Sequence, residues 1–152
     1  GLEAQIKWPN DVFINHKKVG GILTELSGTV EEASFVVVGI GLNVNNEKKT
    51  LPAGATSLKE QKGKGVSRLE LLRLLLSAIE KNYLIFQKEG SPAIIEKWCR
   101  YNLTLNRRVR VTYHHRHLEG MAVDIDVDGA LLLRNDHGII QRVTAGDITH
   151  CR

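Results

Sequence analysis

The chain has 152 residues, 42% of them apolar and 25% charged, and a formal net charge of +4. Those proportions fit a folded domain, or a domain with a small appended module, and exclude a disordered tract. No apolar run approaches the roughly 18 residues of a membrane-spanning helix, and a charge this mild does not by itself imply nucleic acid.

Two cysteines, Cys99 and Cys151, match no metal or redox spacing and are too few for a disulfide framework, so a reducing, cytoplasmic setting is expected. Residue 1 is glycine and the only methionine is Met121, with neither a basic start nor an apolar h-region before the first strand. That pattern reads as a truncated or processed chain without a secretory signal.

In chain order, the first segments read as strands joined by tight turns. Val12-Phe13-Ile14 is a short apolar run, Asn15-His16-Lys17-Lys18 a polar turn, and Val19 to Leu26 the returning strand. Phe35-Val36-Val37-Val38 is a continuous run typical of a strand buried on both faces. Glycines 20, 21, 39 and 41 interrupt these strands where a bulge, or a ligand close to the backbone, is tolerated. Residues 46–66, polar and rich in lysine and glycine, read as a solvated loop.

Ser67-Arg68-Leu69-Glu70 has capping-box spacing and opens a helix on which Leu69, Leu72, Leu76, Ile79, Tyr83 and Phe86 form one apolar stripe, expected to face a core. Gly90 ends it. Ser91-Pro92 starts a second helix with Ile94, Ile95 and Trp98 on its buried face. Cys99, beside Trp98, reads as a buried helix position.

From about Asn106 short strands follow: 108–112, 121–126, 130–133 and 138–143. Several short strands in under 50 residues suggest a small SH3-like β-barrel. The expected fold is therefore α+β, a mixed β-sheet with packed helices over 1–104, then a β-barrel over 105–152. Asp124, Asp126 and Asp128 imitate the start of a calcium loop, but its twelfth position is Asn135 where a bidentate glutamate is needed, and Asp128-Gly129 between apolar runs signals a hairpin. His114, His115 and His117 read as an exposed turn rather than a metal site. Gly39-Ile40-Gly41 lacks the third glycine of a dinucleotide fingerprint.

The chemistry-bearing stretch is Ile6-Lys7-Trp8-Pro9-Asn10-Asp11, followed by Lys18-Val19-Gly20-Gly21-Ile22-Leu23. An ammonium is a point charge for phosphate or carboxylate, paired glycines let a ligand approach backbone N–H groups, and a nearby carboxylate suits Mg²⁺ or its water. These are the parts for activating an acid with a nucleoside triphosphate. From the residues alone a plain surface hairpin is the favoured reading, because short motifs often match by chance.

The strings Lys7-Trp8-Pro9-Asn10-Asp11, Lys18-Val19-Gly20-Gly21-Ile22-Leu23 and Gly39-Ile40-Gly41-Leu42-Asn43-Val44-Asn45 resemble, in order and spacing, consecutive motifs of biotin protein ligases. The resemblance spans essentially the whole chain and implies a class II synthetase-like, biotin–lipoate ligase fold, here the C-terminal half of the catalytic domain plus the SH3-like domain. It implies ATP, biotin and Mg²⁺ as substrates and cofactor, and a biotin carboxyl carrier protein as partner. By that resemblance Lys18 meets biotin's carboxylate and the adenylate phosphate, and Asp11 handles metal and adenylate. Gly20 and Gly21 line biotin, Asn43 contacts adenine, and Lys7 and Asn10 belong to the signature. The family's glycine/arginine-rich loop matches no string here, so the chain alone is expected to be weak or inactive as a ligase. A lipoate-type ligase or acyltransferase, and a non-catalytic fragment that dimerises through strand edges, are the alternatives.

Overall fold

The computed structural model describes residues 1–27, 35–113 and 116–150. His114, His115 and Cys151 of the sequence reading lie outside the described residues. The chain divides into two compact units, one of residues 1–5 and 10–68, the other of residues 6–9 and 69–152.

The first sheet has the strand order β1-β2-β3-β4, with β1 Ala4–Lys7, β2 Asp11–Ile14, β3 Lys17–Ser27 and β4 Phe35–Leu42. Strands β2 and β3 form a hairpin closed by Asn15 and His16, both at positive φ (49° and 59°), a shorter turn than the expected Asn15–Lys18 because Lys17 and Lys18 of β3 already pair with Ile14 and Phe13. Two successive left-handed residues match the twist of paired strands, and asparagine tolerates that region best among residues with a side chain. Strands β3 and β4 pair antiparallel from Gly20 opposite Leu42 to Ser27 opposite Phe35.

Phe35 to Val38 are exposed, contrary to the sequence expectation of a strand buried on both faces. β4 lies at the sheet edge with β3 as its neighbour, and no described residue covers those side chains. The 46–66 segment is also more ordered than a solvated loop. It contains a 3-10 turn, Lys48–Thr50, and a short helix α1, Leu58–Lys62, capped by the Ser57 hydroxyl accepting from the Glu60 N–H at 3.2 Å.

The second unit holds α2, Arg68–Glu89, and α3, Ser91–Tyr101. α2 begins one residue after Ser67 and stops at Gly90, whose φ of 76° suits only glycine well and whose N–H caps the Phe86 carbonyl. Pro92 sits in the first turn of α3, where a missing N–H costs nothing. The α2 stripe is exposed, not core: none of its residues is buried. Helical periodicity reports amphipathicity, whereas burial needs a facing element, and none covers this stripe among the described residues. Trp98 and Ile95 of α3 do pack on the core, and Cys99 is half-buried.

Strands β5 (Arg108–Tyr113), β6 (Arg116–Ile125), β7 (Leu131–Arg134), β8 (Ile140–Val143) and β9 (Asp147–His150) make an antiparallel sheet of order β8-β7-β6-β5-β9, the SH3-like module. β9 was not expected from the sequence; it pairs with β5 from Asp147 opposite Thr112 to His150 opposite Val109. Alternation along β5 buries Val109 and Val111 and exposes Arg108 and Arg110. These valines join Ala122, Ile125, Leu131, Leu133, Val143, Ile148 and Trp8 in one core. Burial of each large apolar side chain contributes about 1.5–3 kcal/mol.

The aspartate-rich turn between β6 and β7 is a hairpin, as expected. Gly129 takes φ 83°, and one Asp126 carboxylate oxygen accepts from the backbone N–H groups of Asp128 and Ala130. Arg142 bridges Asp126 and Asp128 across it.

Candidate functional site

The β2–β3 register decides the site. Asp11 lies opposite Gly21 and Val12 opposite Gly20, but Phe13 lies opposite Lys18, so Val19 is an extra residue on β3, a β-bulge. Continued without the bulge, the register would place Lys18 opposite Ile14, on the sheet face away from Asp11, because side chains alternate. The extra residue moves Lys18 opposite Phe13, onto the Asp11 face, and leaves Val19 and Ile14 buried. The result is an ion pair, Lys18 Nζ to Asp11 Oδ1 at 2.5 Å, with the two side chains 47% and 23% exposed. At that exposure the pair adds under about 1 kcal/mol to stability. Its effect is to fix the direction of the ammonium.

Beneath the pair runs an open groove of about 800 Å³, lined among others by Asn10, Asp11, Lys18, Gly20, Gly21, Gly39, Gly41, Asn43, Pro52 and Ala55. The absence of side chains forms its floor. A Cβ on Gly21 would stand 3.2 Å from Asp11 Oδ1 and 3.6 Å from Lys18 Nζ, whereas one on Gly20 would strike the Gly41 carbonyl at 2.5 Å. Gly21 therefore keeps space beside the ion pair, and Gly20 lets β3 and β4 close behind it.

The remaining sequence-predicted residues divide. Asn10 clamps Ile22 twice: its side-chain N–H₂ donates to the Ile22 carbonyl at 2.7 Å, and its carbonyl accepts from the Ile22 N–H at 2.9 Å. Asn43 lines the groove while its amide donates to the Thr56 carbonyl at 3.1 Å. Lys7, on β1, is not among the groove-lining residues. Trp8 is structural: it is 4% exposed, its backbone N–H donates to Thr104 Oγ1 and its indole N–H to the Gly129 carbonyl, both at 3.0 Å.

Sequence reading missed the segment 52–57, which supplies Pro52 and Ala55 to the groove and two buried polar residues, Thr56 and Ser57. The signal was present. Ser57-Leu58-Lys59-Glu60 has the same spacing as the capping box read at Ser67.

Among the described residues no cluster of three or more histidine, cysteine or acidic side chains could hold a metal. A divalent ion here would have to bring most of its oxygen ligands with it. Chemically, the arrangement offers an anion one directed cation, unobstructed backbone and one carboxylate.

Two family models match the chain: "Biotin/lipoate A/B protein ligase family" over residues 1–43 and "Biotin protein ligase C terminal domain" over residues 104–150. The bifunctional ligase/repressor BirA of Bacillus subtilis (strain 168) is 34% identical over 97% of this chain and 46% of its own length. The apo structure of biotin protein ligase from Aquifex aeolicus is similar with a TM-score of 0.82 and 31% identity, over 98% of this chain and 65% of that one. The Aquifex aeolicus enzyme in complex with biotin and ATP gives a TM-score of 0.80 at 31% identity, over 98% and 62%. The chain spans about half the length of the curated relatives it matches.

Proposed function

We propose, because this chain belongs to the biotin protein ligase family, that it takes part in ATP-dependent biotinylation of a carrier protein. In the first step an oxygen of biotin's carboxylate bonds to the α-phosphorus of ATP and pyrophosphate leaves, giving biotinyl-5′-AMP. In the second, the amine of a lysine on a biotin carboxyl carrier protein attacks the acyl carbon and AMP leaves.

The observation that carries this reading is the Asp11-directed Lys18 ammonium over a glycine floor. Two anions must meet in the first step, and a fixed cation both offsets their repulsion and stabilises charge growing on the phosphate. Asp11 holds Lys18. Gly20 and Gly21 line the groove that takes biotin, Gly21 by leaving space beside the ion pair and Gly20 by letting β4 close behind it, while Asn43 and Asn10 shape the groove for adenylate and biotin and Lys7 contributes charge to the signature strand. Magnesium fits only as an ion carried by the nucleotide's phosphates, with Asp11 supplying a single carboxylate. Such sparse protein ligation is usual for that ion, and it would polarise the phosphate when bound.

We also place the functional boundary at 104/105, supported by the C-terminal family model beginning at residue 104. A cytoplasmic setting belongs to the same proposal, supported by a sequence whose two cysteines are too few for a disulfide framework. No nucleic-acid or membrane partner is assigned to this segment, and pairing of two copies along the β4 edge is the proposed self-association. Lipoate is the competing substrate, because the model matching residues 1–43 describes biotin and lipoate ligases together.

Calorimetric titration with biotin, lipoate and ATP separates these readings. Biotin-selective heat that Lys18→Ala weakens supports the proposal. Lipoate selectivity moves the chain to the lipoate class, and silence from a folded chain makes it a non-catalytic fragment.

A further inference from the structure

We propose that Thr56 is a positioning residue for Lys18, resting on the reading of Lys18 as the anion-binding cation. β4 accompanies β3 only as far as Gly20 opposite Leu42, with the Asn43 N–H reaching back to the Val19 carbonyl at 2.8 Å. One residue further on, Lys18 would have an open backbone edge on that side. The 54–56 segment fills the gap as a parallel bridge, Lys18 beside Ala55. The Lys18 N–H donates to the Gly54 carbonyl at 3.0 Å, and the Thr56 N–H donates to the Lys18 carbonyl at 2.8 Å.

Thr56 is buried and held at every polar atom. Its carbonyl accepts from the Asn43 amide at 3.1 Å, and its hydroxyl accepts from Gln61 Nε2 at 2.8 Å. Gln61 in turn accepts, at Oε1, from Asn15 Nδ2 at 2.7 Å, and Asn15 forms the β2–β3 turn. A closed polar circuit therefore runs from Lys18 through Thr56, α1 and Gln61 to the turn of the same hairpin that carries Asp11 and Lys18. The bulge at Val19 removes a regular ladder position at this point, and the circuit supplies the constraint the ladder no longer gives. None of these side chains needs to touch a ligand; they fix the backbone from which the ammonium extends.

The test compares the wild-type chain with Thr56→Val, Thr56→Ser and Gln61→Ala, reading amide hydrogen exchange by NMR and biotin affinity by calorimetry. Thr56→Val keeps shape and deletes the acceptor, while Thr56→Ser retains it. Losing one such hydrogen bond is expected to lower protection of the Lys18 and Thr56 amides about tenfold. The Ile22 amide, bonded to the Asn10 carbonyl, keeps its protection. Biotin affinity falls in step in Thr56→Val and Gln61→Ala and returns in Thr56→Ser, a rescue that general loosening of the fold does not predict. If Thr56→Val fails to fold, Gln61→Ala decides. Unchanged Lys18 protection in the folded variants overturns the proposal, and so does lost protection with unchanged biotin affinity. If the wild-type chain takes up no biotin, the proposed function falls instead, and amide protection alone decides whether Thr56 positions Lys18.

Discussion

Gly20 and Gly21 are neighbours in sequence, yet alanine at each is predicted to do opposite things. An unstrained glycine-to-alanine change inside a strand gains about 0.5–1 kcal/mol. At Gly20 the added Cβ would stand 2.5 Å from the Gly41 carbonyl oxygen and 3.0 Å from Leu42 Cδ1. A backbone carbonyl yields only if β4 moves, and such overpacking costs about 1–3 kcal/mol, so a net loss of about 1–2 kcal/mol is expected. At Gly21 the nearest atom is Asp11 Oδ1 at 3.2 Å, the end of a side chain that can shift by a few tenths of an ångström. Stability should therefore change by less than about 0.5 kcal/mol. The same methyl occupies space 3.6 Å from Lys18 Nζ, where a ligand carboxylate would approach. Loss of one hydrogen bond to a charged group, about 1.5–3 kcal/mol, lowers affinity about ten- to a hundredfold. Urea unfolding measures the first effect and calorimetric titration with biotin the second. Wild-type biotin affinity in Gly21→Ala, or wild-type stability in Gly20→Ala, would refute the assignment of floor and backing to these two residues.

Asp11→Asn should change unfolding free energy by less than about 1 kcal/mol, since the pair is partly exposed. It should weaken biotin about three- to tenfold by releasing Lys18; a large stability loss in urea would show the pair to be structural instead. Trp8→Phe deletes the indole N–H that meets the Gly129 carbonyl and should cost about 1–3 kcal/mol, read from the urea midpoint of the second unit. A midpoint within error of wild type would contradict this. The hydrogen bond from Arg142, followed by the backbone N–H groups of Ala130 and Asp128, holds the Asp126 carboxyl below its usual range, and Arg108 does the same for Asp136. Carboxylates depressed in the folded state stabilise it above their unfolded value, about 3.9 for aspartate, and lose that contribution as pH falls through the folded value. Stability should therefore drop below about pH 4, and Arg142→Gln should flatten that drop. Parallel urea midpoints at pH 7 and pH 3 check it, and an equally steep decline in the variant would count against the Arg142 assignment.

What could be read from the sequence, and what could not, follows physical lines. The Asn15-His16 turn, the ends of α2 and α3 at Gly90 and Pro92, and the Asp-Gly hairpin were legible because each depends on local backbone preference. The exposure of Phe35–Val38 and of the α2 stripe was not, because a pattern shows which face is apolar and not what covers it. The ion pair depends on one extra residue in a register. Gly20 and Gly21 marked a place where a bulge would be tolerated, but which residue is extra is decided by pairing with a separate strand. Thr56 and Ser57 looked like loop residues among lysines and glycines. They are buried because their hydrogen bonds go to Lys18, Asn43, Asn46, Glu60 and Gln61, partners between 3 and 38 positions away in the chain.

The central claim is that the Lys18 groove is the biotin site. The most direct measurement is a map of backbone NMR shifts as biotin is added to the chain, repeated with Lys18→Ala. Shifts concentrated at Asp11, Lys18, Gly20, Gly21 and Asn43, and lost in the variant, are the expected result. Shifts centred on β5–β9, or a map that survives Lys18→Ala unchanged, would contradict it.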